Sequence, residues 1–133
     1  MPAVRRNRWL VALCWILLVG AGLGSRARGM PEVVVLYAGD VLWGAMFFTL
    51  GAWLWPVATP FRLWLGSTAV TELIEFSQLY QTPQARAVRS TRLGGLLFGH
   101  AFLWSDVLGV AIGTALALLF DRCARATLRA SPQ

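Results

Sequence analysis

Residues 33–55 read VVVLYAGDVLWGAMFFTLGAWLW, and Asp40 carries the one charged side chain in this run. Pro31 and Pro56 flank the run, and its length matches the roughly 17–25 residues that a helix needs to cross the apolar part of a bilayer. In lipid, backbone groups must be hydrogen-bonded internally, which a helix achieves and a lone strand does not. This stretch therefore predicts a membrane-spanning helix.

Three other apolar runs extend the same interpretation to the whole chain, residues 1–133, as a single domain. The predicted helices lie at about 9–24, 33–55, 61–80 and 104–121. Residues 93–103 are either an interfacial or re-entrant segment or the first part of the last helix, because 93–120 is longer than a bilayer requires. The predicted fold is all-α, an integral membrane four-helix bundle with short loops.

The first run also resembles a secretory signal peptide. It has a basic start, an apolar middle and a small-x-small sequence, Ser25-Arg26-Ala27, where cleavage would occur. Arginines crowd that region, which favours a helix that is retained.

Composition agrees with a membrane protein. Hydrophobic residues make up 57% of the chain and charged residues 14%, whereas soluble domains carry about 25% charged residues. The twelve basic residues are all arginine and lie between apolar runs, so they do not form the single basic surface expected of a nucleic-acid-binding protein. Phosphate-binding loops and zinc-ligand spacings are absent from the sequence, so neither a cofactor nor a metal is predicted.

Arginine positions give an orientation, since arginine is enriched in cytoplasmic segments. With both termini in the cytoplasm, the inner arginines are Arg5, Arg6, Arg8, Arg62, Arg122, Arg125 and Arg129. The outer ones are then Arg26, Arg28, Arg86, Arg89 and Arg92. We predict a multi-pass protein of the bacterial inner (cell) membrane with both termini inside.

Acidic residues inside the apolar runs are the candidates for function. A charged group near the bilayer centre costs roughly 2.5–3.5 kcal/mol on insertion scales, and such groups usually have a role. From the outer surface, Asp40 lies about 10 Å deep, Glu75 about 8 Å and Glu72 about 12 Å, with Asp106 near the entrance of the last helix. The sequence therefore predicts that acids from three helices gather in the outer half of the membrane.

Helical spacing supports this prediction. Glu72, Glu75 and Gln78 share one face of the third helix. If 93–120 is one helix, a single stripe on it holds Gly95, Gly99, Phe102, Asp106, Gly109 and Gly113. Such a stripe allows a neighbouring helix to approach closely.

We therefore predict a membrane-facing polar site that binds, and in one version processes, an anionic amphiphile of the cell envelope. The tentative catalytic residues are Glu75 and Asp106. The predicted ligand-binding residues are Asp40, Glu72, Gln78, Arg86, Arg89 and Arg92. Guanidinium groups suit this role because they pair with phosphate or carboxylate in a fixed geometry. Whether the protein is an enzyme is left open.

Two other hypotheses remain. The polar residues can form a structural network that fixes helix packing or docks a partner protein, without chemistry. Alternatively, Asp40 and Glu72 can relay protons or ions across the membrane.

The lone His100 is interpreted as an interfacial hydrogen-bonding residue and not as a catalytic one.

Four short segments carry a family resemblance. They are Gly39-Asp40-Val41-Leu42-Trp43, Glu72-Leu73-Ile74-Glu75-Phe76-Ser77-Gln78, Arg89-Ser90-Thr91-Arg92-Leu93-Gly94 and Phe102-Leu103-Trp104-Ser105-Asp106. In this order they resemble the bacterial domain of unknown function 2809, a family of short four-helix membrane proteins. The resemblance covers nearly the whole chain.

That family is similar to the VanZ-like proteins, which are linked to glycopeptide resistance at the cell envelope. The VanZ-like pattern has a glutamate and a glutamine three apart, then an arginine, then an aspartate that opens a glycine-rich helix. The matching residues here are Glu75, Gln78, Arg89, Asp106 and Gly113. One turn after the aspartate, where that pattern usually has asparagine, this chain has Val110.

Overall fold

The computed structural model describes residues 5–99 and 101–130, and within them the chain is helical with no strand. The helices are α1 (Arg8–Gly24), α2 (Gly39–Leu54), α3 (Pro60–Ser77), α4 (Pro83–Arg89), α5 (Arg92–Phe98) and α6 (Trp104–Ala130). A π-helical turn, Val34–Ala38, leads directly into α2. The all-α prediction is confirmed for these residues.

Local chemistry explains where several helices begin. The Asn7 side chain accepts hydrogen bonds from the first free backbone N–H groups of α1. Thr59 and Thr82 do the same for α3 and α4, and each is followed by a proline at the first helical position, where no hydrogen bond is lost. Thr91 caps α5 through Gly94 N, at 3.0 Å.

Close packing of α2 against α6 forms the centre of the structure. A Cβ added at Gly113 would collide with the backbone carbonyl of Val41, and one added at Gly44 with that of Val110. Glycine is therefore required at these positions, as in small-xxx-small helix pairs. Helix α1 packs on α2, and α3 packs on both α2 and α6.

Many large apolar side chains of this protein are exposed and several polar ones are buried, which is the reverse of the usual pattern in a soluble protein. Among the described residues, Trp9 is 86% exposed and Phe120 is 71% exposed. In contrast, Thr71, Thr114 and Glu75 are buried at 5% exposure or less. An apolar exterior this extensive favours a lipid surrounding over water.

Within the described residues, two helices are long and apolar enough to cross a membrane, judged by length and composition. They are Val34–Leu54 and Trp104–Thr127. Helix α1 is apolar but shorter. These observations agree with the membrane prediction in its general form.

Near the last helix, the structure has residues 93–103 outside that helix, which is one of the two alternatives that the sequence leaves open. Helix α5 ends at Phe98, the next residue, Gly99, has a left-handed φ of 65° that breaks the helix, and α6 starts at Trp104. The stripe calculated for one continuous helix over 93–120 was therefore wrong, although its Gly109–Gly113 part does face α2. The polar stretch after α3 also contains helix α4. The residue His100 lies outside the described residues.

Candidate functional site

A polar cavity of about 490 Å³ lies at one end of the helices, where α4 and α5 meet the C-terminal end of α3 and the N-terminal ends of α2 and α6. Its lining consists of Arg26, Asp40, Trp43, Glu75, Gln78, Ser90, Thr91, Arg92, Gly95, Leu96, Leu97, Gly99, Ala101 and Asp106. The volume lies within the range of small-molecule binding pockets. Three carboxyl groups and two guanidinium groups therefore share one space.

The three carboxyl groups come from three different helices. Asp40 and Asp106 are close enough to interact through a hydrogen bond, and both lie within electrostatic range of Glu75. Asp40 reaches this position because Gly109 has no side chain, since a Cβ there would lie 2.7 Å from the Asp40 Cβ. The Ser105 hydroxyl donates to Asp106 Oδ1 at 2.9 Å. Together the three acids place carboxyl groups from three helices on one wall of the cavity and form an acidic patch there.

The Gln78 side chain lies beside this acidic patch, and only one of its two polar atoms makes a hydrogen bond among the described residues. Its Nε2 donates to Glu75 Oε2 at 2.6 Å. Its Oε1 is buried and has no hydrogen-bond partner among the described residues, although the side chain lines the cavity. The left-handed turn at Gly99 brings the backbone against this amide, where a Cβ would lie 2.8 Å from Nε2. A buried acceptor without a donor is costly unless a ligand or water completes it.

The two cavity arginines make no hydrogen bond that holds them in place within the described residues. Arg26 lies in the turn after α1, with its guanidinium over Gly39 and within electrostatic range of Asp40. Arg92 is the first residue of α5. Both side chains are exposed, and neither donates a hydrogen bond to any residue that the structure describes. A phosphate or carboxylate in the cavity would find two unoccupied guanidinium groups.

Five of the eight predicted site residues line the cavity. They are Asp40, Glu75, Gln78, Arg92 and Asp106. Arg86 is exposed on α4, outside the lining. Glu72 also lies outside the lining, and its Oε2 is buried without a partner among the described residues.

Arg89 has a different environment from the one expected. Its guanidinium is buried and donates to the carbonyls of Tyr80, at 2.7 Å, and Ser77, at 2.5 Å. These carbonyls lie at the C-terminal end of α3, where a cation commonly satisfies the free acceptors. The geometry makes Arg89 an anchor between α3 and α4, and its predicted ligand-binding role is not supported by any contact with the cavity.

Sequence reasoning missed Arg26, Trp43, Ser90 and Thr91 as cavity residues. Arg26 was counted only as one of the outer arginines. The available signal was a basic residue two positions after α1, close to an acid at the second position of α2. No sequence pattern pointed to the other three.

A second polar cluster lies at the opposite end of the same helices, and we refer to it as the Arg6 cluster. Arg6 donates to both carboxylate oxygens of Asp121, at 2.7 and 2.6 Å, and to the carbonyls of Pro56 and Ala58. Arg125 donates to the same Ala58 carbonyl at 3.2 Å. In this cluster the arginine is occupied by internal acceptors, which indicates a structural role.

The described residues contain no group of three or more histidine, cysteine or acidic side chains arranged to hold a metal ion. The groups that line the cavity are guanidiniums, which can pair with an anion, and carboxyl and amide oxygens, which can accept hydrogen bonds from hydroxyl or ammonium groups.

Comparison with known proteins gives one family. A family model described as "Protein of unknown function (DUF2809)" matches residues 29–114. The match includes every acid of the cavity and Arg92, but not Arg26. No solved structure matches the chain.

Proposed function

The chain belongs to the DUF2809 family, and from this premise we propose that it is an integral membrane protein that binds an anionic amphiphile of the cell envelope in the polar cavity. The anionic group would lie between Arg26 and Arg92. The rest of the head group would donate hydrogen bonds to Gln78 and to the acids. The observation that carries the proposal is one cavity lined by two guanidiniums without a hydrogen-bond acceptor among the described residues and by Gln78, whose buried Oε1 has no donor among them.

In this proposal four segments cross the membrane: α1, the π-helical turn with α2, α3, and α6. Helices α4 and α5 would lie at the outer surface and cover the cavity. The exposed apolar side chains support this arrangement, and the arginines near both ends of the chain favour cytoplasmic termini in a bacterial inner membrane.

Processing of the ligand would depend on Glu75 and Asp106, because both carboxyl groups face the space where the head group would lie. Either could accept a proton from a ligand hydroxyl. Binding alone requires no such step, so catalysis is an additional hypothesis.

Kinship with the VanZ-like proteins stays a prediction. Glu75, Gln78 and Asp106 meet in one cavity, as that resemblance implies for a shared site. Val110, in place of the usual asparagine, is fully buried against α2 and offers no polar group. The matching Arg89 bonds to backbone carbonyls of the chain itself.

The direct test is native mass spectrometry of the full chain extracted from bacterial membranes, counting every retained anionic lipid. We expect the wild-type chain to retain one, and the double variant Arg26→Gln/Arg92→Gln to retain at least about tenfold less, since each charge-assisted hydrogen bond contributes about 1.5–3 kcal/mol. Arg86→Gln is the matched control, because Arg86 is exposed and lies outside the cavity. Equal retention by the double variant and the control would refute the proposal.

A non-enzymatic scaffold is the second candidate. The Arg6 cluster and Arg89 favour it, because both show that this chain uses arginines to hold helices together. It predicts a co-purifying protein and no retained lipid in the same experiment. The proton-path alternative has less support, because α6 carries no ionisable side chain between Asp106 and Asp121.

A further inference from the structure

A second, smaller cavity adjoins the polar one. It has a volume of about 80 Å³, lies between α1 and α2, and is mainly apolar. Leu18, Gly22 and Leu42 line it, and it shares Arg26, Trp43 and Leu96 with the polar cavity. We call it the apolar groove. The shared residues place the groove directly beside the polar cavity.

Gly22 lines the groove and contributes no side chain to it. A Cβ at Gly22 would meet only the Cβ of Leu42, at 3.9 Å, which is an ordinary contact distance. Helix packing therefore does not require glycine here, unlike at Gly113. The missing side chain leaves space in a position where the protein would tolerate a larger residue.

We propose that the apolar groove holds the first part of the hydrocarbon chain of the amphiphile whose head group lies in the polar cavity. This inference rests on the proposed function and specifies its ligand. Since the groove is only about 80 Å³, it accommodates the methylenes nearest the head group, and the remainder of the chain lies in the surrounding lipid.

Arg26 lines both the polar cavity and the apolar groove. Its guanidinium therefore determines where the anionic group of the ligand binds. The anionic group of the ligand therefore sits at the junction of head and tail, as in a phosphate ester attached to a lipid. Beyond Arg26 the cavity presents Gln78 Oε1 and the carboxyl groups, which all accept hydrogen bonds. The matching head group carries hydroxyl or ammonium donors. The ligand class is thus a phosphate-linked membrane lipid with a donor-bearing head group.

The test uses the full chain in detergent micelles and a phosphatidylglycerol probe with a photoactivatable diazirine on the third carbon of one acyl chain. Cross-linked residues are mapped by peptide mass spectrometry. We expect cross-links to concentrate at 18–23 and 42–46. Gly22→Leu should remove most of these cross-links, because the added side chain occupies the groove of about 80 Å³ and excludes the lipid methylenes from it.

Gly20→Leu is the matched control, since Gly20 is on the same helix and has open space around it. We expect it to change the yield less than twofold. Should Gly22→Leu give too little folded protein, Gly22→Ala tests the same point with a smaller expected loss. Cross-links spread evenly over all lipid-facing helices, or equal yields from Gly22→Leu and Gly20→Leu, would overturn the inference.

The cross-linking experiment and the lipid-retention experiment test different claims and can fail independently. If lipid retention depends on Arg26 and Arg92 but the cross-links lie elsewhere, the head-group site stands and the groove assignment is wrong. If retention is independent of both arginines, the proposed function fails first.

Discussion

The polar cavity and the Arg6 cluster use the same kinds of residue at opposite ends of the same helices, but they are built differently. In the Arg6 cluster the arginine and Asp121 form a bidentate pair, with side chains 5% and 14% exposed. In the polar cavity, Arg26 and Arg92 have no hydrogen-bond acceptor among the described residues, and Gln78 Oε1 has no donor. The contrast separates a polar group that holds the fold together from one that is available to a ligand.

The physical basis of this difference is the completion of hydrogen bonds. A buried ion pair stabilises a structure only when its remaining donors and acceptors are also satisfied. Arg6 meets this condition through the carbonyls of Pro56 and Ala58. In the cavity, Arg26 and Arg92 are exposed and can be hydrated, whereas Gln78 Oε1 is buried and needs a donor from water or a ligand.

The largest expected effect comes from the Arg6 cluster. Asp121→Asn leaves the Arg6 charge buried without its partner, and the free energy of unfolding should fall by about 3–5 kcal/mol. Thermal unfolding of the variant in detergent micelles measures this loss. The matched control is Glu32→Gln, since Glu32 is exposed. Equal unfolding temperatures for the two variants would mean that the pair contributes no stability.

The same carboxyl-to-amide change in the cavity should have a much smaller effect on stability. Glu75→Gln keeps an acceptor for Gln78 Nε2 and removes one of three facing carboxyl groups, so the free energy of unfolding should change by less than about 1 kcal/mol. Lipid retention should nevertheless decrease in native mass spectrometry. A destabilisation as large as that of Asp121→Asn would place Glu75 among the structural residues and remove the distinction between the two clusters.

Much of the fold could be predicted because hydrophobic runs and capping residues are local signals. The run at 33–55 and the Gly109–Gly113 spacing correctly indicated a helix that packs closely against α6. The meeting of Asp40, Glu75 and Asp106 was also predictable, since helix geometry sets their depth. The sequence left open whether 93–103 is a separate segment or part of the last helix, because glycine at position 99 is compatible with both a continuous helix and a left-handed turn.

The groups that each arginine side chain contacts could not be predicted from the sequence. Arg6 pairs with a residue 115 positions away, and Arg89 bonds to carbonyls that become free only because α3 ends where it does. Arg26 reaches the cavity through the turn between α1 and α2. Sequence supplies the charge, but tertiary packing decides whether an internal acceptor is within reach.

The central claim is that carboxyl groups from separate helices meet in one cavity. Disulfide formation between Asp40→Cys and Asp106→Cys, in a chain with Cys14→Ser and Cys123→Ser, tests it most directly. Mild oxidation followed by peptide mass spectrometry should find the 40–106 link in most molecules, and no link for the matched pair Asp40→Cys and Asp121→Cys, whose residues lie at opposite ends of the helices. Absence of the 40–106 link in folded protein would contradict the account.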